Sequence, residues 1–589
     1  MSEFQLSVNG ARFNVGGRVP DGFAVWASLH DGIQFAKEGY WSCPLYLWPE
    51  FERTFSRRLD AANRTAMEQR LSLDYLSDPQ RTFPKFLLDL KPHQQVGSRF
   101  ILNRTRCFLL DEMGAMKTKT LLEVALQLLR LKKIERVLVV VTASGRATWL
   151  KELRKWGFDE QTGTWHIPEF QKHVLLSAPY ATIPAKLDSD ALFAISSFEV
   201  FSHSPYDETL GVGVKAILDD SRRRKYFLVV DEAHRIGNSQ AERTRNLRNV
   251  KSNWRVAMTG TPIGNRAEEV FALQSFVEGH EAWGGYEHFA QTFLVKQPQR
   301  LSNGKTIFPT VGYKNLDRLA ASIVPLSIRR LKSQIAPDMP PIVWEDRVCD
   351  LSPKETEMYR ILHAAFEKEV TQFREGSRLA RELEMGAYTV CKQFLAHPQL
   401  LSTSASDLGR EIYQKFVHGE TEVPTGTKFE DFLELAEDIV TGSTDKAVVF
   451  CESPQVVAWM GERLPMGAWV SIHGGTSEHD REVAMERFNS DPTCRFFLST
   501  DAGSESLNLP ADYAIHYTLP WSLTKLNQRT QRCHRMDVQI QVTSVRMLAE
   551  TEDSMDRVIE GILAKKADLA KQLLGPVEKA SQIPVQRTL

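Results

Sequence analysis

Cys107-Phe-Leu-Leu-Asp-Glu-Met-Gly-Ala-Met-Lys-Thr118 joins an apolar run, a short loop and the start of a helical stretch. The run Cys107 to Leu110 comes first. A turn containing Gly114 follows, and Lys117-Thr118 then opens Leu121 to Leu129, whose apolar residues recur at helical spacing. A strand, a loop and a helix in that order make a phosphate loop when backbone N–H groups and the helix N-terminus face an anion. In such a loop Gly114, Ala115 and Met116 supply backbone, Lys117 reaches the β- and γ-phosphates, and the Thr118 hydroxyl takes Mg²⁺. Met116 stands where glycine is usual, the residue that permits close approach and unusual torsions.

Working outward, further apolar runs fall at Val137 to Val141, Tyr226 to Val230 and Val256 to Met258. Runs of this length suit strands of a parallel sheet covered on both faces. Asp231-Glu-Ala-His234 follows the Tyr226 run directly. A carboxylate at the C-terminal end of a buried parallel strand lies in the crevice where ligands bind. Asp231 is thereby a Mg²⁺ ligand, Glu232 the group that takes a proton from attacking water, and His234 a coupling residue. The plainer alternative is a solvated acidic helix start, which Asp and Glu also favour. A second series of runs begins near residue 446: Ala447 to Cys451, Trp469 to Ile472, Phe496 to Leu498, Tyr513 to Tyr517 and Val542 to Leu548. Two such series predict two α/β lobes.

The chain has 589 residues, with 73 Lys+Arg against 74 Asp+Glu and a net charge of -1. At roughly 150 residues per domain this length predicts three to four domains. The charge balance excludes a uniformly basic nucleic-acid coat and an acidic tail protein, but not local basic patches. The seven cysteines include no Cys-x-x-Cys pair, so the expectation is reduced thiols in an intracellular protein. The opening Met1-Ser-Glu-Phe-Gln-Leu-Ser-Val shows no secretory leader. No apolar stretch reaches the ~18 residues of a membrane span, so no membrane partner is expected.

Residues 1–85 read as a small β-containing accessory domain. Phe4, Leu6 and Val8, then Ala11, Phe13 and Val15, alternate with polar residues around Asn9-Gly10, a strong hairpin signal. Trp26, Tyr40, Trp41, Tyr46, Trp48 and Phe51 follow. These aromatics either stack on bases or form a small hydrophobic core, and the core is the favoured reading. The remaining divisions are a first lobe at 86–275, helical insertions and a crossover at 276–430, a second lobe at 431–575 and a tail at 576–589.

The order of motifs resembles the superfamily-two helicases, and specifically the Swi/Snf-type double-stranded DNA translocases, in a compact bacterial or phage form. Leu90-Lys-Pro-His-Gln94 resembles the family segment whose glutamine reads adenine, and Asp111 to Thr118 resembles its phosphate loop. Val139 to Trp149, with Glu152 and Trp156, resembles a motif touching the nucleic-acid backbone, and Ile195 to Glu199 the one after it. Thr259-Gly-Thr-Pro-Ile-Gly-Asn265 resembles the motif that links hydrolysis to motion, so Thr259, Gly260 and Thr261 are coupling residues by resemblance. Arg329-Arg-Leu-Lys332, Leu351-Ser-Pro with Tyr359, and Cys391 to Pro398 resemble segments that mark the Swi/Snf group. His473-Gly474, Arg481, Phe488-Asn489, Thr500 to Leu509 and Gln528 to Arg535 complete the second lobe's series.

This resemblance implies two RecA-like parallel-sheet lobes with helical insertions, ATP and Mg²⁺ as cofactors, and DNA (duplex, forked or branched) as partner. It assigns nucleotide contacts to Gln94, Gly503 and Glu505, coupling to Gln528, and neutralisation of γ-phosphate charge to Arg532 and Arg535, whose spacing suggests one helical face. Ser504, Ser506 and Asp537-Val538 depart from the family's glycine-containing pattern. No charged or hydroxyl group of the chemistry is lost, so an active DNA-dependent ATPase with an altered rate is expected, cytoplasmic in a bacterium or an infected host, nuclear in a eukaryote. The alternatives are a strand-separating helicase on DNA or RNA and a catalytically degenerate DNA-binding scaffold. The basic runs Arg222 to Lys225 and Arg329 to Lys332 are either backbone-phosphate contacts or solvated faces.

Overall fold

In the computed structural model, residues 5–9, 12–16, 23, 27, 33–35, 40–55, 67, 85–260, 266–279, 282–300, 306–371, 378–419, 425–501, 507–536 and 540–580 are described. The chain divides into two units. One comprises 1–295, 312–337 and 568–589; the other comprises 296–311 and 338–567.

The first unit begins with β1 (Gln5–Asn9), β2 (Arg12–Gly16), β3 (Gln34–Phe35) and β4 (Trp41–Pro44), a four-stranded sheet in the order β1-β2-β4-β3. Asn9 pairs with Arg12 antiparallel to it, the hairpin expected around Asn9-Gly10; Gly10 and Trp26 lie outside the described residues. The aromatics here are core. Phe13 packs on Trp48 and Phe51 with ring centroids at 5.5 and 5.3 Å, and all three are buried.

This module does not stand apart. Its buried side chains belong to one apolar cluster with Phe108, Leu138, Val140 and Leu228. Tyr46 Oη accepts the Trp283 N–H at 3.1 Å, and Glu50 pairs with Arg318. Removing residues 1–85 would therefore open the core of the whole unit.

That unit is built on β5 (Arg106–Leu109), β6 (Arg136–Val141), β7 (His173–Leu176), β8 (Phe193–Ser197), β9 (Tyr226–Val230) and β10 (Trp254–Met258). Its seventh strand, Ser327–Ile328, pairs with β5. All seven run parallel, in the order Ser327–Ile328, β5, β10, β9, β6, β8, β7. Successive side chains of a strand point to opposite faces. Phe108, Leu138, Val140, Leu228 and Val230 accordingly enter one core, and Cys107, Leu109, Val137, Val139, Phe227 and Val229 the other. Double-sided burial is why these strands appear in the sequence as unbroken apolar runs.

The second unit carries a six-stranded parallel sheet in the order Val343–Asp350, Thr543–Glu550, Tyr513–His516, Ala447–Phe450, Phe496–Ser499, Trp469–Ile472. Val449, Leu498 and Ile515 face one core, Val448, Phe450 and Phe497 another. Helices Pro353–Thr371 and Arg378–Ala396 contribute Tyr359, Leu362, Cys391 and Phe394 to a third cluster. The two sheets are the expected α/β lobes. All seven cysteines are buried thiols. Among the described residues no helix is long and apolar enough to cross a membrane.

Two features differ from the expectation. Residues 276–430 are not only helical. Leu294–Lys296 pairs with Thr310–Tyr313, and Gln299–Arg300 with Thr306–Ile307, as two-stranded ladders. Asn303-Gly304 between them repeats the hairpin signal seen at Asn9-Gly10, though that turn lies outside the described residues. At the C-terminus, helix Met555–Ala580 runs into the segment divided off as a tail at 576–589.

The shared core predicts that Tyr46→Ala, which empties a 1% exposed ring site, destabilises the first unit as a whole by about 3–5 kcal/mol. Thermal melting followed by β-sheet circular dichroism checks this. Local loss of the N-terminal strands alone, with the seven-stranded sheet's midpoint unchanged, would contradict it.

Candidate functional site

The site forms at the C-terminal ends of β5, β9 and β10. After β5 the chain turns through Gly114 (φ 82°) and Met116 (φ 53°) into helix Lys117–Arg130. The first N–H groups of a helix have no acceptor within it and carry the positive end of its dipole, so this turn favours an anion. Met116 holds a left-handed conformation that costs an L-residue roughly 1–2 kcal/mol. Glycine's usual place in such loops has this torsional cause. The Lys117 ammonium donates to the carbonyls of Asp111 (2.9 Å) and Glu112 (3.1 Å), folded back over the loop's first residues.

Two neighbouring elements brace the turn. Helix Pro92–Arg104 begins beside it. Gln94 is wholly buried; its Oε1 accepts the Lys91 N–H at 2.9 Å and its Nε2 donates to the Met116 carbonyl at 3.2 Å. The amide expected to read adenine is thus engaged with the chain itself. Beside it, His93 Nε2 lies 3.2 Å from the Ala115 carbonyl. Burial first, then the nearby Arg330 guanidinium, lowers the His93 pKa below its usual value, so a neutral ring with the proton on Nε2 satisfies that contact.

The second brace is Arg330. It donates from Nε to Asp111 Oδ1 at 2.9 Å and from Nη2 to Asp111 Oδ2, and from Nη1 to the His93 carbonyl. Arg330 is 4% exposed and Asp111 1%. Lys332 is also buried, and its backbone N–H meets Glu112 Oε2 at 2.7 Å. Neither Arg330 nor Lys332 lies on a surface that nucleic acid could touch. The run was read as possible phosphate contacts; burial assigns these two residues to the base of the loop. At Arg222 to Lys225 acids lie alongside the cations: Arg222 pairs with Asp219 at 2.7 Å and Arg224 with Asp220 at 3.3 Å.

At the end of β9, Asp231 Oδ1 accepts the Glu232 N–H at 2.8 Å and Oδ2 accepts the Trp149 indole N–H at 3.0 Å. Desolvation, then the Glu232 charge, pushes its carboxyl up to about 6, while Lys117 opposes this. A carboxylate, Asp231, and a hydroxyl, Thr118, are hard oxygen donors of the kind that suit Mg²⁺. Glu232 is left-handed (φ 50°), which turns its side chain away from the direction the strand would give it. His234 Nδ1 lies 3.3 Å from Glu232 Oε2 and 3.4 Å from Thr259 Oγ1. A Cβ at Gly260 would come within 3.0 Å of the Met113 nitrogen, so the segment after β10 rests on the phosphate turn. Thr261 lies outside the described residues.

Trp149 was missed as a site residue. Grouped by resemblance with a motif that touches nucleic acid, it is only 2% exposed and faces the carboxylate instead. Trp156 donates to Glu152 at 2.7 Å and lies under the Lys119 ammonium at 3.6 Å. No spacing in the sequence signals the Trp149 contact. Arg330 had a signal: Asp111 ends a buried strand, and a buried carboxylate needs a cation.

In the second unit, helix Leu523–Cys533 presents Gln528 and Arg532, one turn apart and both half-buried. Arg535 does not share that helix. The helix ends at Cys533, His534 takes extended torsions (φ -88°, ψ 97°), and its ring lies 2.8 Å from the Pro340 carbonyl. The neighbouring Arg529 is buried, donating to Asp501 at 2.7 Å and to the Thr518 carbonyl at 2.6 Å. Gly503, Ser504, Glu505, Ser506 and Asp537-Val538 lie outside the described residues.

Comparison with known proteins settles the family. A model described as the SNF2-related domain matches residues 69–400, and one described as the helicase conserved C-terminal domain matches 427–537. The chain belongs to the SNF2-related family. It is 24% identical to the putative ATP-dependent helicase/translocase YwqA of Bacillus subtilis, over 83% of this chain and 49% of that protein. It is 24% identical to the TATA-binding protein-associated factor MOT1 of Saccharomyces cerevisiae, over 59% of this chain and 20% of that protein. The chain thus spans from a fifth to about half of these curated relatives. The solved Sulfolobus solfataricus SWI2/SNF2 ATPase core in complex with dsDNA is 19% identical, with a TM-score of 0.35 over 84% of this chain and 99% of that one.

Two predictions follow from the braces of this SNF2-related site. Met116→Gly removes left-handed strain but frees the unfolded chain, so stability should rise by about 0.5–1 kcal/mol; a loss of stability in a melting curve would show that the methionine side chain matters more than its torsion. Arg330→Met leaves Asp111 buried without a counter-charge and should cost about 3–5 kcal/mol. Adding Asp111→Leu should recover most of this. A double mutant no more stable than the single one would refute the pairing.

Proposed function

We propose that this chain hydrolyses ATP with Mg²⁺ and uses the cycle to move along duplex or branched DNA. The observation that carries the reading is the turn after β5, whose left-handed Gly114 and Met116 lead into helix Lys117–Arg130, together with Asp231 directly after the parallel strand β9. Membership of the SNF2-related family supports it, as do relatives named as ATP-dependent helicases, YwqA and the Saccharomyces cerevisiae FUN30. DNA as the partner is consistent with relatives named for chromatin remodelling, among them CHROMATIN REMODELING 5 of Arabidopsis thaliana.

In this mechanism Lys117 exchanges its two carbonyl partners for phosphate oxygens, and the turn through Gly114, Ala115 and Met116 offers backbone N–H groups. Thr118 and Asp231 are the residues that would hold Mg²⁺, which would neutralise charge on the phosphates. Trp149 and the Glu232 N–H keep the Asp231 carboxylate in one orientation. Glu232 orients water and accepts its proton, while His234 ties that carboxylate to Thr259. Gln94 holds the loop in register beneath the nucleotide. By family resemblance alone, Arg532 and Arg535 are assigned the neutralising of γ-phosphate charge, Gly503 and Glu505 nucleotide contacts, and Gln528 a coupling role. Phosphate contacts then position the chain on DNA without reading its sequence.

Glu232→Gln should keep nucleotide affinity within about twofold and lower DNA-stimulated phosphate release by about 10²–10⁴, the usual contribution of a general base. Lys117→Ala should lose nucleotide affinity itself. Substantial DNA-stimulated turnover by the Glu232→Gln protein would sink the assignment.

A further inference from the structure

We propose that strand Val343–Asp350 pairs with the same strand of a second copy of this chain, antiparallel about Asp346, joining two six-stranded sheets edge to edge. The inference does not depend on ATP hydrolysis.

The first observation is the length of the open edge. Val343–Asp350 ends its sheet and is in register with Thr543–Glu550 over all eight residues. The other edge strands of the two large sheets are Ser327–Ile328, His173–Leu176 and Trp469–Ile472, with two, four and four residues. An edge strand presents a row of backbone N–H and C=O groups to any chain that can pair with it, and short edges limit this. The Val343 N–H donates to the Val542 carbonyl at 2.9 Å and the Leu351 N–H to the Glu550 carbonyl at 3.4 Å. Directions alternate along a strand. The odd-numbered residues therefore bond inward, and Trp344, Asp346, Val348 and Asp350 turn their backbone groups to the open edge.

The second is what this edge carries. Val343 is 47% exposed, Trp344 45% and Val348 45%. Trp344 stacks over the buried His516 ring, with centroids 6.2 Å apart and planes at 13°, and still leaves that much surface uncovered. An exposed edge with apolar side chains favours pairing with another strand.

The third is self-complementarity, which names a second copy as the occupant. An antiparallel pair centred on Asp346 sets Trp344 against Val348 of the second copy and Glu345 against its Arg347, each twice by symmetry. Opposite residues share a face and interact, so apolar meets apolar and acid meets base. Trp344, Asp346 and Val348 are the edge-facing residues, as the hydrogen-bonded positions of such a pair require. Asp346 meets its own copy, but Arg546 holds each Asp346 carboxylate at 2.6 and 2.7 Å. Arg347 pairs with Glu434 at 3.4 Å, and that acid is 71% exposed; a surface pair of this kind contributes little and leaves Arg347 able to meet Glu345. Centring the pair on Glu345 or Arg347 instead would set like charges against each other.

The test is sedimentation equilibrium of the full chain over a concentration series. The wild-type mass should rise from one chain toward two. Glu345→Arg alone and Arg347→Glu alone should each raise the dissociation constant by about tenfold or more, since each sets like charges opposite twice. An equimolar mixture of the two variants should recover the wild-type association, because every arginine then faces a glutamate. The double variant, Glu345→Arg with Arg347→Glu, should recover it as well. Unchanged melting midpoints verify that the variants fold. A wild-type chain that stays single at every concentration overturns the proposal and leaves the edge to a strand of another protein. Single variants that associate like wild type place the contact on another surface, and a mixture that fails to recover excludes this register; either result overturns it too.

Discussion

The buried pair between Arg330 and Asp111 sets where the phosphate turn can begin. β5 is covered on both faces, so the residue that follows it is still inside the protein. A carboxylate there is costly unless a cation meets it with good geometry. Arg330 does so with two N–H groups, and its third group takes the His93 carbonyl. The guanidinium reaches this place because Ser327–Ile328 adds to the sheet beside β5. It also passes so close to helix Pro92–Arg104 that a Cβ at Gly97 would lie 3.0 Å from Nη2. One ion pair thus links an edge strand, a helix and the start of the loop, although more than 200 residues separate the partners in sequence.

That anchoring explains how the site tolerates strain. Met116 and Glu232 both adopt left-handed torsions without being glycine. Each costs free energy that nothing local returns. Met116 is kept there by the Gln94 amide on its carbonyl, and Ala115 by His93. Glu232 is kept there by its own N–H on Asp231, whose other oxygen is held by Trp149. Strain persists only where surrounding contacts over-determine it, and here those contacts come from helices Pro92–Arg104 and Gly145–Gly157, which pack into the same core. The departure from glycine at position 116 is therefore compensated within the same brace, which argues against reading it as decay of the loop.

The sequence made the strands legible where both faces are buried. Cys107 to Leu110, Val137 to Val141, Tyr226 to Val230 and Ala447 to Cys451 are apolar without interruption because the two cores claim alternate side chains. Val343–Asp350 escaped notice because it is an edge strand. It is largely exposed and carries Glu345, Asp346 and Arg347, so it has no apolar run. The hairpin at 294–313 was passed over although Asn303-Gly304 marks it as Asn9-Gly10 marks the first one; the charge and helical patterning around it drew the segment into a helical reading. For the site, the loop and the acidic motif were visible as strings, because their chemistry fixes residue types. What lay hidden were contacts between distant segments. Trp149 sits in a motif that resemblance assigned to nucleic acid and Arg330 in a basic run read as phosphate contacts or a solvated face, and only burial shows that they face inward. Arg535 was misplaced on a helix because periodicity does not reveal that His534 leaves helical torsions.

The charge balance takes on a different meaning once burial is known. Part of the positive charge is used inside. Arg136 pairs with Asp220 at 2.8 Å, Lys428 with Asp556 at 2.6 Å, Lys392 with Glu452 at 2.7 Å and Arg529 with Asp501 at 2.7 Å, besides Arg330 with Asp111. In each pair at least one partner is nearly inaccessible, and these pairs add nothing to an external field because each cancels internally. Basic runs on the surface behave similarly when they sit on helices with acids one turn away, as Arg222 does. A count of Lys and Arg, or even a run of them, therefore says little about nucleic acid in this chain. The informative quantities are how deeply each cation is buried and which acid lies nearest to it, and both come from contacts between segments far apart in sequence.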